Sequence, residues 1–343
     1  MRRLTSLVVV LSALISGCSL HAMTGDMMSE YTWLHVNPYL LSTDDTGMAC
    51  ETATGTNGML LAYSRVTDTP HKAAIGVYLT SAGCAEAKAW EAELETLRAL
   101  RAGKSEVAMD ARARQKRALG QSAHRLYASW NHMISHYGDP AQGCPEFDDD
   151  SDELAWFMGN LAGAASVQHD RAAAAVVNIP LDVPLHAAKG MSCLDDAKWF
   201  GVPSALQASV WLSVPGATPE GEDPWATLDQ AITHADESGV RMAYLLKTKA
   251  AMGAGDITLA KATIAAMVAS QEAKAPPAQW TLLDLTAREQ SQAISDRLWT
   301  EATGHRTPHR GLGQFWDDPS DMDEDEGLLD DIDAEESAEE NTP

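Results

Sequence analysis

The spacing of apolar positions changes along this chain, and the change divides it. Near the start they are nearly continuous, from Leu4 to Ile15, behind Arg2 and Arg3. A charged start and a short apolar run make an export signal, too short for the roughly 20 apolar residues of a membrane-spanning helix. Ser16-Gly17-Cys18 closes the run like a bacterial lipobox. It predicts a signal peptide over 1–17 and a lipid on Cys18, which becomes the membrane anchor. By its resemblance to enterobacterial lipoprotein sorting signals, Ser19, where an aspartate would retain the chain at the inner membrane, implies the outer membrane, facing the periplasm.

Beyond a spacer and lead-in over 18–44, apolar residues recur every three or four positions. Ala89, Trp90, Leu94, Leu97 and Leu100 form one stripe, predicting a helix over 85–100 that Gly103 ends. A second helix, over 105–137, carries Arg112, Arg114, Lys116 and Arg117 on its outer face and stops at Gly138-Asp139-Pro140. Ser151-Asp152-Glu153 opens a third, apolar nearly all round from Leu154 to Val167 and therefore central. Pro180, Pro184 and Pro203 break 179–215 into short helices, and Asp223-Pro224-Trp225 starts another. Tyr244, Ala251, Gly255-Asp256, Ala260 and Ile264 sit at tetratricopeptide (TPR) offsets, with Lys247 where leucine is usual. No alternating β-branched run exceeds a few residues. The expected fold is all-α, stacked helix pairs in a TPR-like α-solenoid over 45–304, with a disordered acidic tail over 305–343.

Charge sharpens this outline. The chain of 343 residues carries −24, which becomes −26 once Arg2 and Arg3 leave with the signal. Fourteen Asp or Glu and no Lys or Arg lie between Asp317 and Pro343, a segment that repels itself and has little to bury. So acidic a chain argues against nucleic acid and against a polybasic grip on lipid, leaving the acyl group on Cys18 to hold it.

With Cys18 acylated, Cys50, Cys84, Cys144 and Cys193 remain, an even set for an oxidising compartment. Three pairings are open, and proximity within neighbouring helical segments favours Cys50–Cys84 with Cys144–Cys193. None has the close spacing of a zinc site. His132 and His136 share a helical face with His124, but Met133 stands where an H-E-x-x-H enzyme places its glutamate. Asp321, Asp323 and Asp325 imitate a calcium loop whose glycine and twelfth ligand are misplaced. No nucleophile elbow, phosphate loop or cofactor motif is present, so no catalytic residue, metal site or cofactor is assigned. Among the ten tryptophans, Trp156 with Asn160 one turn away, and Trp199, are the candidates for lining a binding groove.

The lipobox, the helical body, Asp152-Glu153-Leu154-Ala155-Trp156-Phe157-Met158-Gly159-Asn160, Trp199-Phe200-Gly201 and Gly255-Asp256 together resemble a known family. It is that of the TPR-like lipoproteins accompanying tripartite ATP-independent periplasmic (TRAP) transporters, the TatT component. The four further cysteines, the proline-rich stretch at 179–184 and the acidic tail depart from its pattern. The resemblance implies a non-enzymatic, membrane-tethered adaptor for a periplasmic solute-binding protein in uptake of organic acids. An envelope-assembly scaffold of the same fold is the alternative, and a metal-dependent hydrolase using the histidines is a weaker one. A homo-oligomer stays open.

Overall fold

Aspartates set where several helices begin. In the computed structural model, which describes residues 20–318, Asp45, Asp149, Asp223 and Asp256 each accept a first-turn backbone N–H that has no partner inside its helix. The elements are α1 (20–31), a π turn at Thr32–Val36, α2 (Asn37–Ser42), α3 (Thr46–Tyr63), α4 (His71–Arg101) and α5 (Ser105–Tyr137). There follow α6 (Asp150–Ala172), α7 (Val183–Met191), α8 (Val202–Ser213), α9 (Pro224–Ser238), α10 (Met242–Ala254), α11 (Ile257–Ala273) and α12 (Thr281–Thr303). The fold is all-α, with no strand among the described residues.

Consecutive helices pack as neighbours from α3 to α9, and α10 pairs with α11. Small residues bring α5 and α6 together: a side chain on Gly159 or Gly163 would meet Met133 at 2.4 Å or Trp130 at 2.3 Å. The α10–α11 turn has the predicted chemistry, with Gly255 left-handed at φ +76° and Asp256 capping Leu259 N–H. Lys247, the departure from the repeat pattern, pairs with Asp229 of α9. The row does not stay open. α12 packs on α10 and also on α2, α3 and α4, so the last helix closes on the first ones.

Two expected boundaries move. The spacer over 18–44 is helical from residue 20 to 42, and Thr32, Asn37 and Leu40 are buried in the body. At the other end, residues 305–313 belong to the body and not to the tail. Thr307 Oγ1 donates to Ser295 Oγ at 2.8 Å, Arg306 pairs with Glu91 at 2.8 Å, and Leu312 is buried. Residues 305–313 carry no Asp or Glu and several groups to pair, which separates them from the acidic stretch that begins at Asp317. In the unit that starts at Gln314, Phe315 N–H donates to Asp318 Oδ2 at 2.7 Å. The expected signal peptide over 1–17, Cys18, the aspartates at 321–325 and the rest of the acidic tail lie outside the described residues.

Disulfides Cys50–Cys84 and Cys144–Cys193 brace the body, each with Cα atoms 5.5 Å apart. The first ties α3 to α4, and the second ties the loop before α6 to the end of α7. Among the described residues no helix is long and apolar enough to cross a membrane.

Candidate functional site

The tryptophans chosen for a groove belong to the core. Trp156 is fully buried and donates its indole N–H to the Gly190 carbonyl at 2.7 Å. Asn160, also fully buried, donates to the Trp156 carbonyl, and its Oδ1 faces Gly190, where a side chain would collide. Trp199 stacks on Phe157 at 4.8 Å and donates to Glu153 at 2.9 Å. An indole has one polar atom to satisfy, and here backbone or carboxylate does so inside the bundle. None of the three lines a surface groove.

A large open groove lies elsewhere, between α3, α4 and α5, with a volume of about 1360 Å³. Helical spacing builds it. On α4, Lys88, Glu91, Glu95 and Arg98 point along one side, and on α5 Arg114, Arg117 and Arg125 point along the other. Alanines between them, including Ala92, Ala99 and Ala118, leave the space, while the long charged side chains lean over its rim. The Cys50–Cys84 bridge forms part of the wall.

This groove opposes the charge of the molecule. Six Lys or Arg line it against three Glu. Two of those glutamates are already taken, Glu95 by Arg114 at 2.6 Å and Glu91 by Arg306 at 2.8 Å. Their hydrogen bonds raise the pKa of both arginines. Arg125 donates to the Ser81 carbonyl, and burial lowers its pKa. Lys88, Lys104 and Arg117 remain as cationic groups on the rim of a chain whose net charge is −24. The sequence showed the basic face of α5 but not its α4 counterpart, which only tertiary packing supplies.

A smaller pocket of about 370 Å³ sits between α4, α6, α10 and α12. A polar thread runs beside it through five helices. Ser122 Oγ meets His169 Nδ1 at 2.9 Å, His169 Nε2 meets Glu86 at 3.3 Å, Gln290 donates to Glu86 at 3.4 Å, and Lys249 donates to Gln290 at 2.5 Å. These partners fit a neutral His169 protonated on Nε2. Burial, opposed by Glu86, holds both His169 and Lys249 below their usual pKa values. The order Ser–His–Glu matches a hydrolytic triad in name only. Ser122 is fully buried, leaving its Oγ no room to meet a substrate carbonyl.

The histidines also separate. His124 is exposed on α5. His132 does not pair with His136; its Nδ1 lies 3.0 Å from His71 Nδ1, and Tyr78 stacks on its ring. Burial, then the nearby His71, pushes His132 down to about 4. Next to them Asp152 accepts from Lys72 at 2.6 Å and from Tyr137 at 2.7 Å. Burial opposes ionisation of Asp152, but these hydrogen bonds outweigh it and its pKa is lowered. Among the described residues no three His, Cys, Asp or Glu side chains gather to hold a metal ion.

Over the described residues the chain is an all-helical, disulfide-braced body with a broad, cation-rimmed groove. No family model, curated protein or solved structure matches the chain.

Proposed function

We propose that the chain is a lipid-tethered helical adaptor of the bacterial envelope that docks an exported partner in the α3–α4–α5 groove. The groove carries the reading. At about 1360 Å³ it exceeds the 300–1,000 Å³ of ordinary small-molecule sites and is open along two helices, which suits a segment of another protein. Its cationic rim selects a partner with an acidic surface. Two disulfides fit an oxidising compartment, and the lipobox supplies the tether. The resemblance to TRAP-associated lipoproteins supports a periplasmic solute-binding protein as that partner, in uptake of organic acids.

The test is a pull-down from solubilised envelopes followed by uptake assays in a deletion strain. The expected result is recovery of a solute-binding protein by the native chain, weakened by salt and lost in the Lys104→Glu/Arg117→Glu variant. Recovery of no solute-binding protein, with uptake unchanged on deletion, overturns the reading. Recovery of envelope-assembly components by the same groove would instead make the chain a scaffold.

A further inference from the structure

The helix that follows the lipobox holds to the body by one side and leaves the other bare. Gly25 of α1 lies so close to Thr67 that a side chain there would collide at 2.7 Å, and Thr32 and Asn37 are buried further along the same side. Opposite them, Leu20, Met23, Met27, Tyr31 and Leu34 are 57, 56, 57, 53 and 52% exposed. At 100° per residue the first four fall within an arc of about 80°, and Leu34 prolongs it into the π turn. Asp26 and Glu30 border one edge of this stripe, and Thr24 and His35 the other.

We propose that α1 lies along a lipid bilayer, with this stripe set into the boundary between headgroups and acyl chains. The inference rests on the reading of Cys18 as the lipidated residue. Leu20 is the second residue after Cys18, so at most about 7 Å of chain lies between the acylated residue and the start of the stripe. The start of the stripe is thereby held within reach of the headgroup layer. The composition fits that place: methionine and leucine enter the apolar zone, and Tyr31 offers a ring with a polar tip, as residues at membrane interfaces do. No Lys or Arg occurs from residue 20 to 42. The contact is therefore apolar and gains nothing from anionic lipid, unlike a polybasic grip.

Lipid anchoring and stripe binding are separable. The mature chain beginning at Ser19, exported through a signal that lacks the lipobox, keeps every described residue and carries no acyl group. It is mixed with vesicles of phosphatidylcholine and phosphatidylethanolamine and floated on a density gradient. The expected result is vesicle binding that high salt does not weaken and that falls about tenfold or more in Met23→Ser/Met27→Ser, as loss of two apolar contacts demands. Thermal melting checks that the variant stays folded, since both methionines are exposed. Failure of the unlipidated chain to float, or equal flotation of the variant, overturns the proposal. Dimers that vanish in the variant, without flotation, would assign the stripe to a second copy and also overturn it. Mass analysis of the native product reports the acyl group on Cys18 independently. A native product without it, beside intact flotation of the mature chain, would remove the anchor reading and leave the bilayer contact standing.

Discussion

Arg241 and Asp284 form a buried ion pair that fastens the start of α10 to α12. Arg241 Nη1 lies 2.9 Å from both carboxylate oxygens, the side chains are 2% and 6% exposed, and the Arg241 backbone N–H donates to Asp284 as well. The same guanidinium donates to the carbonyls of Gly239, Ser270 and Lys274, drawing in the end of α11. Its Nε has no hydrogen-bond partner, so one buried donor of the cluster is unsatisfied. Asp284→Ala, which strands the cation, is expected to cost about 3–5 kcal/mol, whereas Arg241→Met/Asp284→Leu should cost less than the single change. Urea unfolding of both variants checks this; equal losses would show that the carbonyl contacts, not the pair, hold the joint.

The two disulfides should differ in ease of reduction. Each closes a loop of several tens of residues (sequence separations 34 and 49) and is expected to contribute about 2–4 kcal/mol. Cys144 is exposed, whereas Cys50 is buried against α4. Limiting reductant followed by alkylation and peptide mapping should label Cys144 and Cys193 first. Full reduction should then lower the melting temperature a second time, and an unchanged melt would remove the bridges from the stability of the body.

Acid should weaken the fold through His132. An unfolded histidine takes its proton near 6.5, but His132 in the folded chain resists until about 4. Between those values the unfolded state binds protons that the native state refuses, so stability is full above 6.5 and falls as pH drops toward 4. With a discount for solvent at the ring edge, the loss is about 1–2 kcal/mol. His71, His136 and His169 shift in the same direction and leave a residual slope. Urea midpoints at neutral pH and near pH 4.5 should differ more in the native protein than in His132→Gln; equal differences would contradict the assignment.

Gly201 and Gly83 make a matched contrast. Gly201 is left-handed at φ +74°, and a side chain there would sit 2.2 Å from the Ala231 carbonyl oxygen. Gly201→Ala is therefore expected to cost more than about 2 kcal/mol. Gly83 lies inside α4 with nothing within 4 Å of its missing side chain. Gly83→Ala should stabilise by about 0.5–1 kcal/mol, since alanine restricts the unfolded chain and suits a helix. Thermal melts of the two variants should move in opposite directions.

What could be read from residues alone was local. The all-round apolar character of Leu154–Val167 marked α6 as central, and Gly255-Asp256 marked a turn whose glycine is left-handed and whose aspartate caps. The favoured cysteine pairs are those formed, because each lies on segments that pack as neighbours. α3 falls within the expected helical body, but no stripe marks its bounds: Thr46–Tyr63 is rich in glycine and threonine, and its buried positions are Ala49, Cys50, Ala53, Asn57 and Leu60. Trp156 and Trp199 show the limit for sites. Spacing places an indole on a face, but only the partner helix decides whether that face meets protein or water. The groove depends on Lys88 of α4 and Arg117 of α5 lining one space from two helices, a relationship that no window on either helix contains.

The return of α12 to the opening helices has a kinetic consequence. Arg98 donates to the Gly304 carbonyl across 206 positions of sequence, and Gln290 reaches Glu86 across 204. Contacts so distant along the chain close slowly, because a long loop must be ordered before they form. The early helices therefore cannot finish packing until the last one has been made and delivered. A chain stopped before Thr281 would leave the α12-facing sides of α2, α3 and α4 open to water, so the fold completes as a whole and not repeat by repeat.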